Sequence, residues 1–156
     1  MTHRVLFVCL GNICRSPLAE AAFRVEAARI GLAAEADSAG TGGWHRGEPP
    51  DRRAIAAAAR NGVDISDLRA RQVRPADFER FDRILALDGE NLADLAALRP
   101  AGSGARLSLL LDHVPGREGE AVADPYYGDD GDFDITWRDV TEGARALADE
   151  LQREDA

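Results

Sequence analysis

An apolar run that ends at a cysteine and is followed at once by a helix start is the feature that most constrains this chain. Residues 5–8 are all apolar, Cys9 follows them, and Ser16 and Pro17 are typical of a first helical turn. Between them lie Gly11 and Asn12, residue types that tolerate the positive φ angles of a tight loop. The pattern therefore predicts a strand, a tight loop and a helix.

A loop of this kind turns successive backbone N–H groups inward and binds anions at a helix N-terminus. The residues expected to form the anion-binding loop are Leu10, Gly11, Asn12, Ile13, Cys14 and Arg15. The planar guanidinium of Arg15 matches two oxygens of a phosphate. The same positive field favours the thiolate of Cys9, and a thiolate beneath a bound phosphate is a nucleophile aimed at phosphorus. The alternative is that Cys9 only ends a buried strand as a small apolar residue.

Strand and helix patterns alternate along the rest of the chain. We expect strands at residues 4–8, 35–39, 83–87 and 107–111, and helices at 16–30, 51–61, 89–98 and 133–152. Such alternation is typical of an α/β fold in which a parallel sheet has helices on both faces and binds ligands beyond the carboxyl ends of its strands. A length of 156 residues suits a single domain, residues 1–156.

Composition excludes several classes of protein. The net charge of −9 argues against a general binder of nucleic acid or of membrane surfaces. Neither a membrane-spanning run nor a signal peptide is visible, and two cysteines do not make a secreted disulfide framework, so we expect a cytoplasmic protein. No histidine or cysteine cluster has metal-ligand spacing, so neither a metal nor another cofactor is expected. His3 and His113 are expected at the surface.

The segment Cys9-Leu10-Gly11-Asn12-Ile13-Cys14-Arg15-Ser16-Pro17 resembles the phosphate-binding loop of low-molecular-weight protein tyrosine phosphatases. Three further segments resemble motifs of that family in the right order: residues 38–41 (SAGT), 70–72 (ARQ) and 124–128 (DPYYG). The resemblance runs from about Val5 to the C-terminal helix. It implies a three-layer α/β/α fold whose four-stranded parallel sheet has the order 2-1-3-4. It also implies hydrolysis of phosphotyrosine, and of small aryl phosphates, through a cysteinyl-phosphate intermediate.

The resemblance assigns the general acid to Asp124. A phosphate ester's leaving oxygen needs a proton as its bond breaks, and the same carboxylate can later act as base on the attacking water. The chemistry of the loop alone barely separates Asp124 from its acidic neighbours Asp129, Asp130 and Asp132, which have the alternative role of solvated turn residues.

Aromatic side chains follow the two loops that flank the expected site. Trp44 and Tyr126 are predicted to wall a slot for a phosphotyrosine ring, with Leu10 at its rim. Two roles remain open for Tyr127, a wall of the slot or a buried core aromatic. His45 is expected near the rim of this cleft.

The resemblance also implies supporting roles for Asn12, Ser16 and Ser38. Ser16 would donate a hydrogen bond to the Cys9 thiolate, while Asn12 and Ser38 would hold the shape of the loop. The alternative is ordinary capping and turn chemistry. Many relatives carry a histidine in this network two or three residues before the Ala-Arg-Gln motif, where this chain has Asp67 and Leu68.

Cys9 and Cys14 together suggest a reversible oxidative lock, in which Cys14 condenses with a sulfenic acid formed on Cys9. The alternative is that Cys14 only packs beneath the loop.

Two other functions fit the same loop. Arsenate reduction needs a distal cysteine pair, and this chain has no cysteine besides Cys9 and Cys14. A non-catalytic phosphoprotein-binding module would lose the cysteine, the arginine or the acid, and all are present.

The expected partner is a tyrosine-phosphorylated protein, such as an autophosphorylated bacterial tyrosine kinase. Phosphoarginine remains an alternative substrate, and we expect a monomer.

Overall fold

A computed structural model describes every residue from Met1 to Ala156, and a parallel sheet of four strands lies at its centre. The strands are β1 (His3–Cys9), β2 (Ala34–Gly40), β3 (Arg83–Ala86) and β4 (Arg106–Leu109), in the order β2-β1-β3-β4. All neighbouring strands are parallel, so the predicted fold class and strand order are confirmed. The predicted fourth strand is too long, because a 3₁₀ turn follows at Leu110–His113.

Five α-helices connect and cover the strands. They are α1 (Arg15–Arg29), α2 (Arg52–Arg60), α3 (Asp77–Arg80), α4 (Gly89–Leu98) and α5 (Asp130–Glu154). None of these helices has the length and apolar character needed to cross a bilayer. The short helix α3 was not predicted, and α5 begins three residues before the predicted start at residue 133 because Asp129 and Asp132 form a capping box there.

Helices pack on both faces of the sheet, as predicted. Val5 and Phe7 of β1 face a layer made by α1, α2 and α5, which supplies the larger core. Leu6 and Val8 alternate with them and face the smaller core beneath α3 and α4. The central strand is therefore apolar on both sides, and it carries Cys9 to the carboxyl edge of the sheet.

The prediction that His3 and His113 lie at the surface is wrong. His3 is 5% exposed, and its Nε2 lies 2.9 Å from a carboxylate oxygen of Asp155. The largely buried ring of His113 lies 2.8 Å from the hydroxyl of Ser108 and 3.0 Å from the carboxylate of Glu150. Both rings tolerate burial because each has a hydrogen-bonding carboxylate, Asp155 just beyond the end of α5 for His3 and Glu150 of α5 for His113.

Candidate active site

The loop between β1 and α1 wraps around Cys9, a residue that is 3% exposed. The loop amides that donate no hydrogen bond within the protein are those of Leu10, Gly11, Ile13 and Cys14. The amide of Asn12 donates to Cys9 Sγ at 3.3 Å, and Asn12 adopts a φ of 58°, as an asparagine can. A run of free N–H groups ahead of a helix N-terminus is an anion-binding nest.

Close approach of other atoms favours glycine at position 11 and requires it at Gly40, and neither residue has a positive φ. A Cβ on Gly11 would lie 3.0 Å from the His45 ring, and one on Gly40 would lie 2.7 Å from the carbonyl oxygen of Leu10. The end of β2 therefore packs directly against the anion-binding loop.

Arg15 lies beneath the loop with its side chain 4% exposed. Its Nη1 donates to Asp88 at 2.7 Å and to the carbonyl of Val122 at 3.1 Å. Burial opposes the charge of this guanidinium, but Cys9, Asp88 and Asp124 outweigh it, so the pKa of Arg15 is raised above its ordinary value. A permanently charged and oriented fork thus points into the site.

A network of hydrogen bonds surrounds the Cys9 sulfur. Both hydrogens of the Asn12 side-chain amide are used, one on Ser16 Oγ at 2.8 Å and one on Ser38 Oγ at 3.0 Å. Each serine therefore keeps its own hydrogen for another acceptor. Ser16 lies 3.0 Å from Cys9 Sγ, and Ser38 donates to Glu20 at 2.8 Å.

Asn12 is held from its other side as well. Its Oδ1 accepts the backbone N–H of Arg71 at 3.0 Å. Leu68, two residues before the Ala-Arg-Gln motif, packs partly buried against the larger core. The buried carboxylate of Glu20, paired with Arg24 at 2.9 Å, closes the network in this chain. Burial raises the pKa of Glu20, although hydrogen bonds from Ser38 and Arg24 oppose that shift.

The long loop before α5 carries Asp124 over the same site. Its Oδ2 lies 3.6 Å from Arg15 Nη2, and its Oδ1 accepts the backbone N–H of Tyr126 at 3.1 Å. The other loop acids serve elsewhere: Asp129 and Asp132 cap α5, and Asp130 is an exposed residue of its first turn. Asp124 is therefore the acid of this loop that lines the cavity with Cys9.

Arg53, at the start of α2, ties this acid loop to the anion-binding loop. Its guanidinium donates to the carbonyls of Tyr126 at 2.9 Å and Gly128 at 3.0 Å. Asp51 pairs with that guanidinium at 3.0 Å, while its own amide donates to the carbonyl of Ile13 at 2.8 Å. The two loops that would hold the nucleophile and the acid are thus connected through one ion pair.

Aromatic side chains surround the mouth of the site. Trp44 and Tyr126 line the cavity and are 72% and 38% exposed. Tyr127 also lines it and is 96% exposed, which excludes a core position. Its ring meets that of Tyr126 edge to face at 5.0 Å. Leu10 and His45 line the same cavity.

Cys14 lies at the N-terminus of α1 and is 5% exposed. Burial, with the nearby charge of Asp51, raises the pKa of its thiol well above the ordinary value. Both cysteines are free thiols and line the same cavity.

Glu20, Arg53 and Asp88 contribute to the site and were not identified from the sequence. Asp88 could have been found, because it lies two residues after β3 and the carboxyl ends of β1 and β3 meet at one edge. No comparable signal marks Glu20 or Arg53, since helical acids and arginines are usually solvated.

Comparison with known proteins connects this geometry to a family. Residues 4–156 match the family model described as low molecular weight phosphotyrosine protein phosphatase. The chain is 50% identical over 133 residues to a low molecular weight protein-tyrosine-phosphatase of Streptomyces coelicolor, which covers 82% of this chain and 80% of that protein.

A second relative is similar in both sequence and structure. The chain is 42% identical over 152 residues to the low molecular weight protein-tyrosine-phosphatase YfkJ of Bacillus subtilis, with 96% of each chain covered. The crystal structure of YfkJ superposes with a TM-score of 0.92 and covers 100% of this chain and 98% of that one, at 40% identity. The similarity therefore extends over the strands, the helices and the loops around Cys9.

Proposed function

The chain belongs to the low molecular weight phosphotyrosine protein phosphatase family, and from that premise we propose that it hydrolyses protein phosphotyrosine through a cysteinyl-phosphate intermediate. One observation carries the proposal. Cys9, Arg15 and Asp124 line a single cavity of about 260 Å³ whose mouth is aromatic. A nucleophile, an anion clamp and an acid are thus within reach of one bound phosphoryl group.

In the first step the Cys9 thiolate attacks phosphorus. A sulfur–phosphorus bond forms as the bond to the phenolic oxygen breaks, and that oxygen leaves with the proton of Asp124. The free loop amides and the Arg15 fork hold the other phosphoryl oxygens while negative charge spreads over them. Asp88 keeps the fork in place by its hydrogen bond to Arg15 at 2.7 Å.

In the second step water attacks phosphorus from the side the phenol has left. Asp124, now a carboxylate, takes one proton from that water as the bond between phosphorus and Cys9 breaks. The departing thiolate is received by the hydroxyl of Ser16 at 3.0 Å and the amide of Asn12 at 3.3 Å. Inorganic phosphate and the starting enzyme result.

The aromatic mouth supports tyrosine as the side chain of choice. A phenyl ring stacked against Trp44 or Tyr126 places its phosphate near Cys9, whereas a phosphoserine is too short to reach the floor. Phosphoarginine lacks the ring and is the weaker candidate. The two cysteines leave no relay for arsenate reduction, and the acid, arginine and cysteine of a working phosphatase are all present.

We further propose a tyrosine-phosphorylated protein, such as a bacterial tyrosine kinase, as the partner. A single-domain monomer is proposed because the site is built from one chain. The cytoplasm is proposed as the compartment because the catalytic thiol must stay reduced.

Turnover by the wild type and by Cys9→Ser tests the proposal. We expect the wild type to hydrolyse a phosphotyrosine peptide without added metal, and to prefer it over matched phosphoserine and phosphoarginine peptides. Cys9→Ser should lose turnover but still bind vanadate, because a serine hydroxyl stays protonated while the nest remains. Arg15→Lys should lose on the order of a hundredfold or more, because an ammonium cannot reproduce the fork. Substantial turnover by Cys9→Ser would contradict the assignment of the nucleophile.

A further inference from the structure

Arginine side chains border the aromatic mouth on one side, outside the residues assigned to catalysis. A concave surface of about 400 Å³ is lined by Arg46, Arg71, Gln72 and Arg74, and we call it the arginine groove. No carboxylate lines it. Such a surface is notable in a chain whose net charge is −9.

The positive charge of the groove is only partly neutralised. Arg71 pairs with Asp77 at 3.0 Å and with Asp37 at 3.1 Å, so these two carboxylates neutralise its charge. Arg46 and Arg74 are exposed and form no ion pair, so their charges are not neutralised within the protein. The guanidinium of Arg46 instead donates to Gln72 Oε1 at 3.0 Å, which orients it along the groove.

The groove adjoins the catalytic loop directly. Trp44 and His45 line the cavity, and Arg46 is the next residue, so the Cα atoms of Trp44 and Arg46 are at most about 7.6 Å apart. From the other side, Gln72 pairs with Gly40, whose Cα packs against the loop that surrounds Cys9.

We propose that the arginine groove binds an acidic side chain of the protein substrate, close in sequence to the phosphotyrosine, and thereby selects phosphotyrosines in acidic segments. This inference rests on the proposed function. An extended peptide advances about 3.3 Å per residue, so one to three residues span about 3 to 10 Å, the same scale as the separation of Trp44 from Arg46. A guanidinium fork recognises a carboxylate through two parallel hydrogen bonds.

The chemistry separates the groove from the phosphate site. Arg15 is buried and clamped by Asp88, and it serves the phosphoryl group of every substrate. Arg46 and Arg74 are exposed, and small aryl phosphates do not extend to them. The groove is therefore expected to affect the choice among peptides and not the chemical step.

The test compares two phosphotyrosine peptides that differ only in having glutamate or glutamine at the three positions on each side of the phosphotyrosine. We expect kcat/KM of the wild type to favour the glutamate peptide by about three- to tenfold at low salt, as exposed ion pairs allow. The double variant R46A/R74A should lose this preference and keep its kcat/KM for p-nitrophenyl phosphate. Raising the salt concentration should reduce the preference in the wild type.

Arg153→Ala is the matched control. It removes the same charge from an exposed arginine in the last turn of α5, near Asp155 and the start of β1, at the other end of the sheet from Cys9. Equal turnover of both peptides by the wild type would overturn the inference, as would a preference that survives in R46A/R74A or that disappears equally in R153A. Absence of turnover on either peptide and on p-nitrophenyl phosphate would instead contradict the proposed function.

Discussion

At the residue scale, what distinguishes Asp124 from the other acids of its loop is what each carboxylate contacts. Asp124 lies 3.6 Å from Arg15 inside the cavity, whereas Asp129 and Asp132 accept amide hydrogens at the start of α5. A carboxylate that caps a helix stabilises it locally, and only one that faces the phosphate can move a proton there.

Asp124→Asn is expected to impair turnover most where the leaving group is poor. A tyrosine phenolate needs the proton, so kcat for a phosphotyrosine peptide should fall about a hundredfold. A nitrophenolate departs without help, so the loss on p-nitrophenyl phosphate should be smaller. Steady-state kinetics on both substrates measures the difference, with Asp130→Asn as the control. If Asp130→Asn showed the same pattern, the acid would be misassigned.

Oxidation tests the role of Cys14. Peroxide should convert the Cys9 thiolate to a sulfenic acid, and attack by Cys14 would form a disulfide and release water, which external thiols then reverse. The attacking form is the Cys14 thiolate, and since its pKa is raised, the lock should form faster as pH increases. We expect the wild type to recover its activity when thiol is added. The Cys14→Ser variant should lose its activity irreversibly. Equal recovery of both would leave Cys14 with a packing role.

At the element scale, the acid loop is held to the body of the protein mainly by the N-terminus of α2. The guanidinium of Arg53 lies 4.6 Å from the centre of the Phe133 ring and 5.7 Å from that of Tyr126, in addition to its bonds to two loop carbonyls. The hydrogen bonds with Asp51 hold the pKa of that carboxyl below its usual range, so the pair stays ionised. A helix thus fixes a segment that has no regular structure of its own.

Arg53→Ala should therefore mimic a partial loss of Asp124. We expect kcat for a phosphotyrosine peptide to fall about ten- to a hundredfold, because a displacement of about 1 Å suffices for that loss. The fall on p-nitrophenyl phosphate should be smaller, and Arg53→Lys should restore part of the rate. Arg52→Ala, at the exposed neighbouring arginine, is the control. Equal losses on both substrates would indicate a structural defect and not a misplaced acid.

At the scale of the whole molecule, the end of the sheet opposite Cys9 is closed by ion pairs with the C-terminal helix. Glu150 accepts from buried Arg83 at 2.8 Å and lies 3.0 Å from His113. Burial raises the pKa of Glu150, but the hydrogen bonds with His113 and Arg83 outweigh it, so the pKa is lowered overall. A carboxyl with a lowered folded pKa stabilises the fold above its unfolded pKa and loses that contribution as pH falls through the folded value.

Glu150→Gln should accordingly lower the stability at neutral pH by about 1 kcal/mol, or roughly 2–4 °C in Tm. The difference from the wild type should shrink as the pH is lowered through the folded pKa. Thermal unfolding followed by circular dichroism at several pH values measures this, with Asp94→Asn at an exposed site of α4 as the control. A Tm difference that stayed constant down to acid pH would show that the pairing does not act through this charge.

The sequence by itself determined the alternation of strands and helices and the loop around Cys9. Residues 5–8 are apolar on both faces of a strand, and a cysteine, a glycine, an asparagine and an arginine follow at a spacing that fits a nest before a helix. These signals come from residues adjacent in the chain, so they can be recognised without knowledge of the tertiary contacts. The order of the sheet came from the family resemblance, because pattern alone does not say which strands pair.

The tertiary structure alone decided which side chains meet across long stretches of chain. Asp88 reaches Arg15, Glu20 reaches Ser38, and Arg53 reaches the acid loop 73 residues away. It also buried His3, because the chain just beyond the end of α5 supplies the carboxylate of Asp155. Each of these pairs joins polar residues that look solvated in sequence. Packing decides where such residues lie, because it removes water from a polar side chain and brings up another polar group to replace that water.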